Sequence, residues 1–188
     1  MQAMGKHNVQ NALAAIAVGL ELEIPFAKVK AGLEKFTGVY RRWEKKGEVN
    51  GVMLFDDYAH HPTECKATLA GAKAGWRKRI VCVFQPHLYS RTRDFYEEFG
   101  KAFLLSDVLV VTDVYPAREE PIQGVTGELI TNAAKQYGHK DVNYVPDKKN
   151  LPLYLKNIVK NNDIVVTMGA GDVWKYGMEF LNQLKVKN

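Results

Sequence analysis

Cysteine is scarce: the 188 residues carry only Cys65 and Cys82. No C-x-x-C pair exists, so a disulfide framework and a zinc ribbon are both excluded. Two reduced thiols suit a cytoplasmic chain. No apolar run approaches the roughly 20 residues of a membrane span, and no signal-peptide pattern opens the sequence. A soluble protein with no membrane partner is therefore expected. Low-complexity tracts and internal repeats are absent. Hydrophobic residues at 46% and charged residues at 25% exclude disordered and fibrous classes. Neither sign of charge dominates, with 26 Lys+Arg against 21 Asp+Glu and a net charge of +5. That balance suits an anionic ligand. No RNA-recognition or helix-turn-helix signature accompanies it, so nucleic acid is not an expected partner.

The length suits one full domain, with a fragment of a second. Residues 8–20 read as a helix with Val9, Leu13, Ile16, Ala17 and Leu20 on one stripe. A second helix follows Pro25, with Val29, Leu33 and Phe36 on its face. After a crossing segment at 37–42 the grammar changes. Strand-like runs fall at 43–49, 52–57, 80–84, 108–112, 142–145 and 164–168. The first two are close enough for a hairpin through Asn50-Gly51. Most of the others are separated by helix-period stretches, which predicts right-handed crossovers and a mostly parallel sheet covered on both faces. The expected fold is α/β and Rossmann-like: a two-helix segment and hinge over 1–42, then a doubly wound domain over 43–188.

In such a sheet, ligands sit beyond the carboxyl ends of the strands. Four polar segments follow strand ends: Asp56 to Pro62, Gln85 to Thr92, Asp113 to Pro116, and Gly169 to Asp172. They should converge on one edge. Asp57-Tyr58-Ala59-His60-His61-Pro62 is the densest cluster. Pro62 suits the first helical position, leaving free N–H groups toward the loop, where an acid and two imidazoles could position an anion or a ribose hydroxyl. The plainer reading, that these residues cap a helix and fill a loop, carries equal weight. His61 and Cys65 at i, i+4 lack further zinc ligands. His87, Ser90, Arg91 and Arg93 form a second cluster; the arginines could fork a carboxylate or phosphate, or simply be solvated beside a Ser90 cap. Gly169-Ala170-Gly171-Asp172 lacks the third glycine of a dinucleotide fingerprint and reads as a tight strand–helix turn. Gly5-Lys6-His7 has no preceding strand and no Ser/Thr, so it is not a complete phosphate loop. Asn8 and Asn11 share a helix face where amides could read a purine edge, although simple capping by Asn8 is the commoner use.

Taken in order along nearly the whole chain, these motifs resemble the peptidoglycan Mur ligases. The resemblance rests on Gly5 through Ala15, Phe36-Thr37-Gly38-Val39-Tyr40-Arg41-Arg42, Asp56 through Glu64, Phe84 through Thr92, and Asp113-Val114-Tyr115-Pro116-Ala117. Gln85-Pro86-His87-x-Tyr89-Ser90-Arg91-Thr92 is similar to the alanine-adding members in particular. Leu88 stands where many members have Arg, which leaves Arg91 as the stronger substrate contact. The family's enzymes have a UDP-binding domain, a central ATPase domain with a phosphate loop, and a C-terminal Rossmann-like domain. The resemblance places residues 1–42 at the end of the central domain and 43–188 in the C-terminal one.

It also implies a reaction. MgATP phosphorylates the lactyl carboxylate of UDP-N-acetylmuramate, and the amino group of L-alanine displaces phosphate from the acyl phosphate. His7, Asn8 and Asn11 would lie at the nucleotide, with the two asparagines on adenine. Arg42 would reach the phosphates and Asp57 the ribose, while His60, His87 and Arg91 face the intermediate and the alanine carboxylate. Tyr58 and His61 would shape the pocket, and Arg42, Asp57 and His60 would carry the catalysis. No metal site is expected within these residues. ATP and Mg²⁺ belong to the full enzyme, and the 188 residues alone, lacking the other two domains, are expected to be inactive. Two other readings stay open: a murein tripeptide ligase domain, against which the Gln85 to Thr92 string argues, and a stand-alone nucleotide- or nucleic-acid-binding module.

Overall fold

The computed structural model describes residues 6–185, with side chains from Asn8 onward. Helices α1 (Lys6–Glu21) and α2 (Phe26–Lys35) come first and pack chiefly on each other. Gly19 lets them approach closely, since a Cβ there would lie 2.7 Å from Val29 Cγ2. Their expected apolar stripe is present but not buried: Val9, Leu13 and Leu20 are more than half exposed, and α2 buries no residue. An amphipathic pattern shows which face seeks cover, and among the described residues each helix finds little beyond the other.

The remaining elements are β1 (Glu44–Val49), β2 (Val52–Asp57), α3 (Pro62–Gly75), β3 (Ile80–Phe84), α4 (Tyr89–Ala102), β4 (Val108–Val111), α5 (Glu128–Gln136), β5 (Val142–Tyr144), α6 (Leu151–Ile158), β6 (Ile164–Met168) and α7 (Val173–Lys185). The sheet order is β1-β2-β6-β3-β4-β5, antiparallel at β1–β2 and parallel elsewhere. β1 and β2 turn through Asn50 and Gly51, both with positive φ (53° and 76°), as a hairpin turn that matches strand twist requires.

Every residue of β3, β4 and β6 is buried, because helices cover both faces. One face sets Phe55, Cys82, Phe84, Val111 and Met168 against α3, α4 and α5. The other sets Leu54, Val81, Val83, Val110 and Val165 against α6 and α7. The period of two therefore splits each strand between two cores, and each fully buried Val, Leu or Ile contributes about 1.5–3 kcal/mol. The doubly wound fold agrees with expectation. Phe95, Phe99, Ala102 and Phe103 follow a helix period, but the first does not join the core. Phe95 has non-helical φ/ψ (−127°, 15°) within α4 and is 36% exposed, its ring turned to His61 at 5.2 Å. Among the described residues no helix is long and apolar enough to cross a membrane.

Candidate functional site

β2, β6, β3 and β4 are neighbours in the sheet, so the four loops after them meet at one edge. The loop after β6 is the tight turn expected of Gly169 to Asp172. A Cβ on Gly171 would lie 2.3 Å from Gln85 Oε1, which accepts from the backbone N–H of Asp172 (2.9 Å) and Val173 (3.1 Å). Gln85 thus caps α7 from the end of β3, tying two loops together.

The loop after β2 serves structure and site together. His61 is the N-cap of α3 and accepts weakly from Thr63 N–H (3.4 Å), and Pro62 fills the first helical position. Glu64 completes a capping box by accepting from the N–H groups of His60 (3.0 Å) and His61 (3.2 Å). His61 thus caps α3. Asp57 is 4% exposed. Its Oδ1 accepts from Ala59 N–H (2.8 Å), and its Oδ2 accepts from Trp43 N–H (3.0 Å) and the Thr68 hydroxyl (3.2 Å). Burial raises its pKa against these hydrogen bonds and the nearby Arg42. A carboxylate has about four lone-pair positions, so roughly one remains for a ligand.

The imidazoles lie on the same edge. His60 Nδ1 is 2.9 Å from Tyr58 O, and its ring centroid is 6.0 Å from that of His87. His87 stacks on Tyr115 at 5.6 Å. Burial pushes its pKa down, and Arg91 and His60 push it further, so the ring is neutral near pH 7. Its buried Nδ1 has no hydrogen-bond partner among the described residues, an unmet polar group of a kind that is rare in folded proteins. Arg91 reaches His87 O at 3.4 Å.

The N-terminus of α4 departs from expectation. Its N-cap is Leu88 (φ 74°), not Ser90. Glu119, from the loop after β4, accepts from Ser90 N–H at 2.9 Å and from the Ser90 hydroxyl. That helix end already holds a carboxylate, so an incoming anion would meet Arg91 rather than the helix dipole. The Ser90 hydroxyl and N–H hold the Glu119 carboxyl below its usual 4.5. A depressed acid contributes stability above its unfolded pKa and loses it as pH falls through the folded value. Urea midpoints measured from about pH 6 down to about pH 3 should therefore fall less steeply in Glu119→Gln than in the parent; parallel curves would contradict the contact.

A cavity of about 1240 Å³ separates the α1–α2 pair from α3. Asn8, Asn11, Arg42 and Asp57 all line it, together with Glu64 and Thr68. Arg42 is half-exposed, 3.7 Å from Glu64, with its guanidinium 5.7 Å from the Tyr58 ring centre. At that size the cavity exceeds the roughly 300–1,000 Å³ of ordinary small-molecule sites, which fits one wall of a cleft better than a closed pocket. The structure thus brings Asn8, Asn11, Arg42 and Asp57 together, and sets Tyr58, His60, His61, His87 and Arg91 along the adjoining edge. The side chain of His7, with the Gly5-Lys6 segment, lies outside the described residues.

Arg41, Thr68 and Glu119 carried no sequence signal for their roles. Glu64 did, three residues after the cap.

Residues 41–171 match the family model described as "Mur ligase, glutamate ligase domain". A UDP-N-acetylmuramate–L-alanine ligase of Geotalea uraniireducens is 53% identical over 181 residues, 96% of this chain and 40% of that protein. The chain therefore spans well under half the length of that relative. Among solved structures, a UDP-N-acetylmuramate–alanine ligase of Thermotoga maritima superposes with a TM-score of 0.81 at 33% identity, covering 99% of this chain and 39% of that one. A murein peptide ligase of Psychrobacter arcticus gives 0.70 at 28% identity, covering 96% and 37%.

Proposed function

Because the chain belongs to the Mur ligase family, whose glutamate-ligase domain it carries over residues 41–171, we propose that it is the C-terminal domain, with the last two helices of the central ATPase domain, of an ATP-dependent ligase that joins L-alanine to UDP-N-acetylmuramate. The observation that carries this is the cleft wall on which Asn8, Asn11, Arg42 and Asp57 meet beside the His60–His87–Arg91 edge.

The reaction asks for three things: neutralised phosphate charge, an amino acid held in line, and exclusion of water from the acyl phosphate. Asn8 and Asn11 offer paired amides to a purine. Arg42 brings a cation to the phosphates, and the spare Asp57 lone pair suits a ribose hydroxyl. Arg91 suits the alanine carboxylate. A neutral His87 suits the proton that the alanine ammonium must lose before its amine can attack. His60, between Tyr58 and His87, lies where the acyl phosphate would pass. Mg²⁺, when bound, would supply charge neutralisation at the phosphates. Its ligands would come from the enclosing central domain and the nucleotide.

Coupled ADP release by the intact ligase is the test. L-alanine should support turnover with UDP-N-acetylmuramate and MgATP, and a murein tripeptide should not. Turnover with the tripeptide in place of alanine would move the domain to the murein peptide ligases.

A further inference from the structure

Two arginines stand side by side in the linker, and they have opposite environments. Arg42 is half-exposed on the cleft, whereas Arg41 is 7% exposed. The Arg41 side chain spans three acceptors: Nε donates to Asp56 Oδ2 at 2.7 Å, Nη2 to Gly169 O at 2.7 Å, and Nη1 to Gly171 O at 3.2 Å. Asp56 is fully buried, and its other oxygen accepts from the Thr167 hydroxyl at 2.8 Å. The backbone of Arg41 is held as well, donating to Glu44 Oε2 at 2.9 Å and accepting from Tyr58 N–H at 2.7 Å. This residue keeps a left-handed φ of 54°, which a non-glycine residue adopts only where its surroundings impose it.

The residue on the other side of Arg42 is pinned too. Trp43 N–H donates to Asp57 Oδ2 at 3.0 Å, and its ring stacks on Phe55 with centroids 4.6 Å apart. Consecutive acids at the end of β2 thus hold the residues flanking Arg42, Asp56 on one side and Asp57 on the other. The backbone N–H of Arg42 donates to Val39 O at 3.0 Å, while its side chain, among the described residues, makes a 3.7 Å contact with Glu64 and a cation–π approach to Tyr58. Its direction is set by its neighbours.

We infer that Arg41 is a positioning residue: its three-way clamp on Asp56 and the Gly169–Gly171 turn fixes the linker so that Arg42 faces the cleft. The inference rests on the reading of Arg42 as the nucleotide's phosphate contact. A guanidinium suits the site because its three separate nitrogens each reach a different acceptor, a carboxylate and two carbonyls, whereas an ammonium has to gather all three around one nitrogen. The clamp also ties the linker to the loop after β6, so the linker moves with the C-terminal edge of the sheet as one body.

A buried ion pair that served stability alone could be exchanged for apolar residues without loss, since such replacements often keep or raise stability. The intact ligase carrying Arg41→Met with Asp56→Leu separates the two roles. Thermal unfolding should stay near the parent's, while kcat falls about tenfold or more and KM for UDP-N-acetylmuramate is unchanged, as misplacement of a charge near the reacting phosphate predicts. Arg41→Lys, which keeps a charge beside Asp56, should show a smaller fall in kcat and serves should the double variant fail to fold. Full parental kcat in a folded double variant, or in Arg41→Lys, would overturn the inference. Arg42→Ala run in parallel guards the premise: parental turnover there would sink the reading of Arg42 itself, whatever Arg41 does.

Discussion

Arg42→Ala in the intact ligase is expected to lower kcat by about 10²–10³-fold, the scale seen when one preorganised donor to developing charge is removed. Thermal unfolding should barely move. The side chain is half-exposed and 3.7 Å from Glu64, and an exposed pair of that kind contributes about 0–1 kcal/mol. Asp57→Ala should cost turnover comparably, with a different signature. Its carboxylate accepts from Trp43, Ala59 and Thr68, and an orphaned buried donor costs about 1–3 kcal/mol. A lowered unfolding temperature is therefore expected for Asp57→Ala alone. Retention of near-parental turnover by Arg42→Ala, measured as coupled ADP release, would remove Arg42 from the site.

The 188-residue chain by itself should form no amide bond at all. Phosphoryl transfer needs a cradle of backbone N–H groups, a lysine and a held Mg²⁺. No complete phosphate loop is encoded between Met1 and Asn188. What the chain offers a nucleotide is one wall of a wide cavity, so its affinity for ATP should be weak, because the surface that would enclose and desolvate the ligand is not among these residues. The sheet nevertheless buries both faces without help, so the chain should fold and unfold cooperatively. ADP release by the purified chain that depends on UDP-N-acetylmuramate and L-alanine, and is abolished by Asp57→Ala, would show that the machinery lies here after all.

Much of the fold was legible because the strands announce themselves. Ile80 to Phe84 and Ile164 to Met168 are short apolar runs that only a doubly covered sheet can bury. Asn50-Gly51 has the residues that a hairpin turn with two positive φ values demands. Convergence of the four loops followed from the rule on strand ends, with no distances needed. Other features were not legible, for reasons that differ. Arg41 and Arg42 are chemically identical neighbours, and only the position of Asp56 and two backbone carbonyls decides which is buried. Glu119 caps α4 from 29 residues beyond Ser90, a pairing that no local pattern encodes. The stripe on α1 read correctly as a face needing cover, yet a stripe says nothing about whether the covering partner lies in the same chain. Phe95 fits a helix period that the chain breaks at that residue.

One nucleotide is expected to lie along the wall formed by Asn8, Asn11, Arg42 and Asp57. Two-dimensional NMR of the isotope-labelled 188-residue chain, titrated with a non-hydrolysable ATP analogue and Mg²⁺ to millimolar concentration, tests it directly. Shifts should concentrate on those four residues and on Tyr58 and Thr68, saturating weakly and vanishing in Arg42→Ala. Shifts centred instead on the opposite end of the sheet, where Ser106 and His139 meet at 3.1 Å just before β4 and β5, or no change along the cleft wall at saturating nucleotide, would contradict that placement.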